Sequence, residues 1–267
     1  MFLKVIACEI AVRELQYVAA RSKNLIDLEF LTQGYHDVPA TGRDEIQKRI
    51  DLVPAGKYDA IVLGYALCSK ILVGLKPAHT RLVIPRAHDC ITLFLGSKER
   101  YQKCFSEHPG TYYYTSGWLE CAKRRGDKDS NWGGPSLPAN SSLNLQASYQ
   151  QWVEKYGEDQ AKYLLEEMSR WTEHYLQGTL IDFEFLKNLD LPKQVQQICA
   201  DKGWTFGKIP GDLSLLQTML DGPWPESDFL IVEPGKKVAA VFDDRIIESQ
   251  GSAKDECHAK TQRRQDE

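Results

Sequence analysis

Three cysteines stand at or just past the ends of apolar runs of strand length. Cys8 closes the run Leu3 to Ala7, Cys68 follows the run Tyr58 to Gly64, and Cys90 follows Arg81 to Pro85. Thiolates are soft donors that suit zinc and iron and disfavour magnesium and calcium. Three protein ligands on zinc leave a fourth position for water or a substrate thiol. An iron–sulfur cluster held by three cysteines leaves one iron free for a substrate or a further ligand. The spacing matches no CxxC motif, so the grouping depends on the fold bringing the three together. The competing reading is three packed core thiols, since free cysteine is among the most buried residue types.

The neighbours favour chemistry over packing. Pro85-Arg86-Ala87-His88-Asp89-Cys90 gathers a cation, an imidazole, a carboxylate and a thiol at one strand end. His88 is a candidate general acid/base or fourth ligand, with Asp89 orienting it. Arg86 has the planar fork that clamps a substrate carboxylate or phosphate. Glu9, Tyr65, Ser69, Tyr114 and Trp118 are candidate substrate contacts, and simple packing accounts for them as well. Cys104, Cys121 and Cys199 fall on amphipathic elements and read as packing residues, while Cys257 and His258 sit in a polar tail. No GxSxG elbow, Walker loop or GxGxxG follows the first strand, so hydrolase and common nucleotide chemistries lack support.

These residues require elements that carry them to one place. Leu3 to Ala7, Leu25 to Thr32, Tyr58 to Gly64 and Arg81 to Pro85 read as four strands. Helical spacing of Val12, Leu15, Val18 and Ala19, then of Ile46, Ile50 and Val53, separates the first three. Alternating strands and helices form crossover units, which predicts an α/β fold with an open, mainly parallel, Rossmann-like sheet and helices on both faces. In such sheets ligands bind outside the carboxyl ends of the strands, where the first, third and fourth strands would present Cys8, Cys68 and Cys90.

Thr111 to Thr115 is β-rich and adds a fifth strand. Residues 123–147 are crowded with Gly, Pro, Ser, Asn and charges, and two helical stripes come next, Tyr149 to Tyr156 and Ala161 to Tyr175. The stretch at about 123–180 is therefore read as a loop and helical insertion. Helices from Pro192 and Asp212, strands at Trp204 to Ile209 and Asp228 to Glu233, and a return through Pro234-Gly235 into Val238 to Phe242 complete the chain. Asp228 to Glu233 and Val238 to Phe242 read as a hairpin. The reading is one α/β domain over 1–250 and a disordered polar tail over 251–267.

Composition sets outer limits. The chain has 267 residues, 42% hydrophobic and 26% charged, with a net charge of −4. An acidic balance excludes a general nucleic-acid binder, which needs a basic face. The N-terminal apolar run is too short for a signal core, and no stretch approaches the roughly 20 apolar residues of a membrane span. A cytoplasmic location is expected, where thiols stay reduced.

At Ala7-Cys8-Glu9, Leu63-Gly64-Tyr65-Ala66-Leu67-Cys68-Ser69, Ile84-Pro85-Arg86-Ala87-His88-Asp89-Cys90 and Gly110-Thr111-Tyr112-Tyr113-Tyr114 the chain resembles a prokaryotic family catalogued as domain of unknown function 1638. Gly211-Asp212-Leu213 and Asp228-Phe229-Leu230 resemble it too, so the likeness covers roughly 3–245. Its members' association with corrinoid-dependent methyl-transfer systems in anaerobes implies a corrinoid or redox protein partner. The cysteine placement is also similar to the cluster site of 2-hydroxyacyl-CoA dehydratase subunits and to the zinc site of thiol-activating cobalamin-type methyltransferases. The resulting expectation is a metal-dependent enzyme acting on a small molecule through Cys8, Cys68 and Cys90. An iron–sulfur cluster is favoured over zinc, because a lid-like loop would exclude water and oxygen. The alternatives are a metallochaperone or accessory protein for a corrinoid or redox enzyme, and a metal-free small-ligand binder.

Overall fold

The computed structural model describes residues 1–36, 38–125, 153–154, 157–162 and 175–251. The chain divides into two compact units, Met1–Lys98 with Asp212–Glu267, and Glu99–Gly211. The stretch 126–152 and the tail 252–267, where the sequence predicts a loop and a polar end, lie outside the described residues, as does most of the two helical stripes.

The first unit contains β1 (Phe2–Cys8), α1 (Val12–Ala19), β2 (Leu25–Leu31), α2 (Pro39–Asp51), β3 (Ala60–Gly64), β4 (Leu82–Pro85) and α3 (Cys90–Leu95). After the second unit the chain returns with α7 (Ser214–Asp221), β8 (Phe229–Val232), β9 (Lys236–Ala240) and β10 (Ile247–Gly251). The five-stranded sheet has the order β2-β1-β3-β4-β8. β1 to β4 run parallel, and β8 lies antiparallel along β4. The order reverses at β1, so the crevice between β1 and β3 is the topological switch point of the sheet.

Strand alternation sends successive side chains to opposite faces. Ile6, Leu31, Ile61, Leu63, Leu82 and Ile84 share a buried cluster with Ile46 and Ile50 of α2. On the other face α1 packs against α7. Gly64 is required there, because a Cβ at this position would stand 2.5 Å from the Cβ of Ala7, its partner across the strands. Strand pairing and helix packing at this point therefore depend on a missing side chain.

The hairpin differs from its sequence expectation. β8 pairs with β4, Leu82 opposite Val232 and Pro85 opposite Phe229, while β9 pairs with β10 in a separate two-stranded sheet. Apolar β8 completes the buried sheet, whereas β9 opens on the polar pair Lys236 and Lys237 and sends only Val238 into the core cluster beside Ile246 and Ile247.

The second unit holds α4 (Lys98–Glu107, its first residue at the unit boundary), β5 (Thr111–Tyr114), α5 (Ser116–Arg125), β6 (Gln177–Asp182), α6 (Leu191–Lys202) and β7 (Thr205–Pro210). β5 does not join the first sheet. It forms a parallel three-stranded sheet of its own in the order β5-β6-β7. β6 is not legible in the sequence, because Gly178 and Thr179 interrupt its apolar pattern. Gly178 is there for close packing: a Cβ would stand 2.5 Å from the Cys199 sulfur on α6.

Candidate functional site

Parity along the strands places the thiols. Cys8 follows Ile6 by two residues and Tyr65 follows Leu63 by two, so both emerge on the α2 face at the carboxyl edge of the sheet. Beyond β3 the backbone keeps its hold on the chain beyond β4. The Leu67 N–H donates to the Ala87 carbonyl at 2.9 Å and the Cys68 N–H to the His88 carbonyl at 3.0 Å. Asp89 caps α3 by accepting from the Ile91 N–H at 3.0 Å, which fixes Cys90 as the first residue of that helix. Cys68 and Cys90 are thereby brought into hydrogen-bond contact.

Cys68 also begins a left-handed turn, with φ of 25° at Cys68, 51° at Ser69 and 65° at Lys70. Side chains other than glycine enter this region at a cost of about 1–2 kcal/mol per residue. The turn closes through the Ile71 N–H, which donates to the carbonyls of Leu67 and Cys68.

A fourth participant comes from the end of β2. The turn Gln33–His36 brings His36 into hydrogen-bond contact with Cys68. Two ties hold it there. Glu9, directly after Cys8, accepts from the Gln33 N–H at 2.8 Å and from the Thr32 hydroxyl at 3.0 Å. Gly42 of α2 lies where a Cβ would stand 2.7 Å from both the Tyr35 Cβ and the Ile71 side chain, so the turn and the chain after Cys68 meet across it.

The electrostatics are asymmetric. The Cys68 thiol is lowered to about 6, first by the hydrogen bond from Cys90 and then by that from His36, against the opposing effects of burial and Asp89. The Cys90 thiol is held well above the ordinary range by the same bond, by burial and by the negative charge on Cys68. At neutral pH Cys68 is thus a thiolate that accepts from a Cys90 thiol and a His36 N–H. Cys8 and Asp89 act on Cys90 through space. All three thiols are partly exposed, and no disulfide forms among the described cysteines.

The other residues singled out in the sequence divide between four places. Tyr65, Glu9 and Asp89 belong to the cluster, for Tyr65 faces Cys8, Tyr35, Glu9 and Cys68. Ser69 is exposed on the left-handed turn, and the His88 side chain is exposed while its carbonyl holds Cys68. Arg86 is buried with its guanidinium turned to the hairpin, donating to the carbonyls of Glu226 at 2.7 Å, of Arg245 at 2.8 Å and of Ile247. It also borders a cleft of about 430 Å³ with Trp224, Glu226, Arg245 and Ser249.

Tyr114 and Trp118 belong to the second unit. There Tyr112 meets Tyr114, Tyr175 and Trp204 at ring separations of 4.9, 5.3 and 6.1 Å and accepts from the Trp118 indole at 2.7 Å. Cys121 and Cys199 are buried in that unit, as packing predicts.

His36 is not among the residues that the sequence singles out. The strand-end rule that selects Cys8, Cys68 and Cys90 applies equally to β2, and Gly34-Tyr35-His36 lies just past the end of that strand. Among the described residues no group of three or more His, Cys, Asp and Glu side chains already has the arrangement of a metal site. No helix of the described residues is long and apolar enough to cross a membrane.

Neither the curated proteins nor the solved structures contain a match to the chain. A family model does match, over residues 30–220, a span that takes in His36, Tyr65, Cys68 and Cys90 and begins beyond Cys8. That span covers most of the chain, which therefore belongs to the family described as "Protein of unknown function (DUF1638)".

Proposed function

We propose that the protein is a metal-dependent enzyme of the cytoplasm, with an iron–sulfur cluster or a zinc ion bound by Cys8, Cys68 and Cys90 and a small molecule as substrate. The observation that carries this reading is the meeting of Cys68, Cys90 and His36 at the switch point of a parallel sheet, with Cys8 beside them. The donor set fits such a group. Cys68 is already ionised at neutral pH, and a tetrahedral ion with Zn–S bonds of about 2.3 Å needs sulfurs only about 3.8 Å apart, close to the reach of a hydrogen bond between thiols. His36 donates to Cys68, so it would act on a ligating thiolate as a hydrogen-bond partner that steadies its charge. With three protein ligands the group would supply an open coordination position for substrate. A corrinoid or redox protein is the partner such chemistry would serve, and thiols kept reduced belong to the cytoplasm.

The test is metal analysis and visible absorbance of protein purified without oxygen and without a metal-binding tag. Near-stoichiometric zinc, or several irons with a broad thiolate-to-iron absorbance, is expected. Cys8→Ala, Cys68→Ala and Cys90→Ala should each lose the metal, and Cys199→Ala should keep it. Protein that stays metal-free after reconstitution, or equal loss in all four variants, overturns the assignment.

A second reading has its own observation. The ionised Cys68 and protonated Cys90 share one hydrogen bond, the arrangement of a nucleophilic thiol with a neighbouring thiol that holds its charge. In that reading Cys68 attacks the substrate directly and no metal is needed.

A further inference from the structure

The Tyr65 hydroxyl is the unspent polar group of the cluster. Its residue is only 5% exposed, and the oxygen has no hydrogen-bond partner among the described residues. Burial of a hydroxyl without a partner costs about 1–3 kcal/mol, so native chains rarely keep one without a use for it. The ring is packed in the core cluster with Leu63, Ile71 and Leu72, where a phenylalanine would fit as well and cost nothing for the oxygen. The hydroxyl faces Cys8, Tyr35, Glu9 and Cys68, on the same side of the sheet as the thiolate.

We propose that the Tyr65 hydroxyl is the donor that receives a carbonyl or carboxylate oxygen of a small ligand seated on the Cys8–Cys68–Cys90 cluster. The two contacts together define the ligand class. The sulfurs, with or without a metal, take a soft or electrophilic atom, and the phenol takes an oxygen acceptor close to it. A phenol is ordinarily protonated at neutral pH and can donate to such an oxygen. The left-handed turn holds Cys68 while the strand end holds Tyr65, so the two contacts are fixed before a ligand arrives.

This inference rests on the same site as the proposed function, but its test uses reduced, metal-free, full-length protein. Absence of a metal would overturn the metal centre and leave this proposal to its own result. The probes are iodoacetamide, which carries a carbonyl next to the reacting carbon, and ethyl iodide, which does not. In both, the Cys68 sulfur forms a bond to carbon and iodide leaves with the electron pair of the C–I bond. Labelling of Cys68 is followed by peptide mass spectrometry in the wild type and in Tyr65→Phe.

The ratio of the iodoacetamide rate to the ethyl iodide rate is expected to fall about three- to tenfold in Tyr65→Phe, the worth of one neutral hydrogen bond. The unliganded variant should melt at the same temperature or higher, since an unsatisfied buried hydroxyl has been removed. An unchanged ratio, or an equal fall in both rates, overturns the proposal. A lower melting temperature or failure to fold shows that the hydroxyl serves the fold, and overturns it too.

Discussion

Charge at this site is set by single atoms. Burial and the nearby Asp89 carboxylate would by themselves raise the Cys68 thiol, yet it is lowered to about 6 because Cys90 and His36 donate to it. The thiolate is the nucleophile, so alkylation of Cys68 in metal-free protein should accelerate as pH rises through about 6 and then level off. Cys90→Ala removes the largest cause and should move that midpoint upward, as should His36→Ala to a smaller extent. Labelling with iodoacetamide at a series of pH values, read peptide by peptide, measures both. The folded value lies below the ordinary thiol value, so ionised Cys68 adds stability that is complete above the unfolded pKa and is lost as pH falls toward the folded one. Cys90 has the opposite shift and should stay unlabelled where Cys68 reacts.

At the scale of elements, the left-handed turn is a strained joint between a strand end and the core. Ser69 and Lys70 are both exposed, at φ of 51° and 65°, where glycine is at ease. Ser69→Gly and Lys70→Gly should therefore each raise stability by about 1 kcal/mol, measured by urea denaturation. The four strands and two helices that carry the cysteines are legible because Leu3 to Ala7 and Tyr58 to Gly64 are continuous apolar runs, and α2 repeats Ile46 and Ile50 at helical spacing. Elements whose partners are distant are not. β9 reads as the return strand of β8, yet β8 belongs beside β4, a choice made by packing and not by the turn at Pro234-Gly235. The three carbonyls of Glu226, Arg245 and Ile247 that accept from Arg86 come from segments more than a hundred residues on, which no local pattern announces. His36 carries no local signal either, because two ties, Glu9 to Gln33 and Gly42 to Tyr35, decide its position.

For the molecule as a whole, the second unit is an insertion whose two ends are pinned side by side. Gly96, at φ of 82°, lies where a Cβ would stand 2.7 Å from the Asp212 side chain, and the Asp212 N–H donates to the Phe94 carbonyl at 2.9 Å. Each residue of the thiol cluster belongs to the first unit. Replacing 99–211 by a short Gly/Ser linker should therefore leave a folded protein in which Cys68 keeps its depressed alkylation midpoint; loss of that midpoint would tie the cluster to the inserted unit. The antiparallel strand β8 has a further consequence, in the order of synthesis. Cys8, Cys68 and Cys90 have all left the ribosome long before Phe229–Val232 is made, so the outer side of β4 waits unpaired while the whole inserted unit is translated. Chains fold unit by unit as they are made, and here the inserted unit, contiguous in sequence, can finish first. The sheet that carries the reactive thiols closes last.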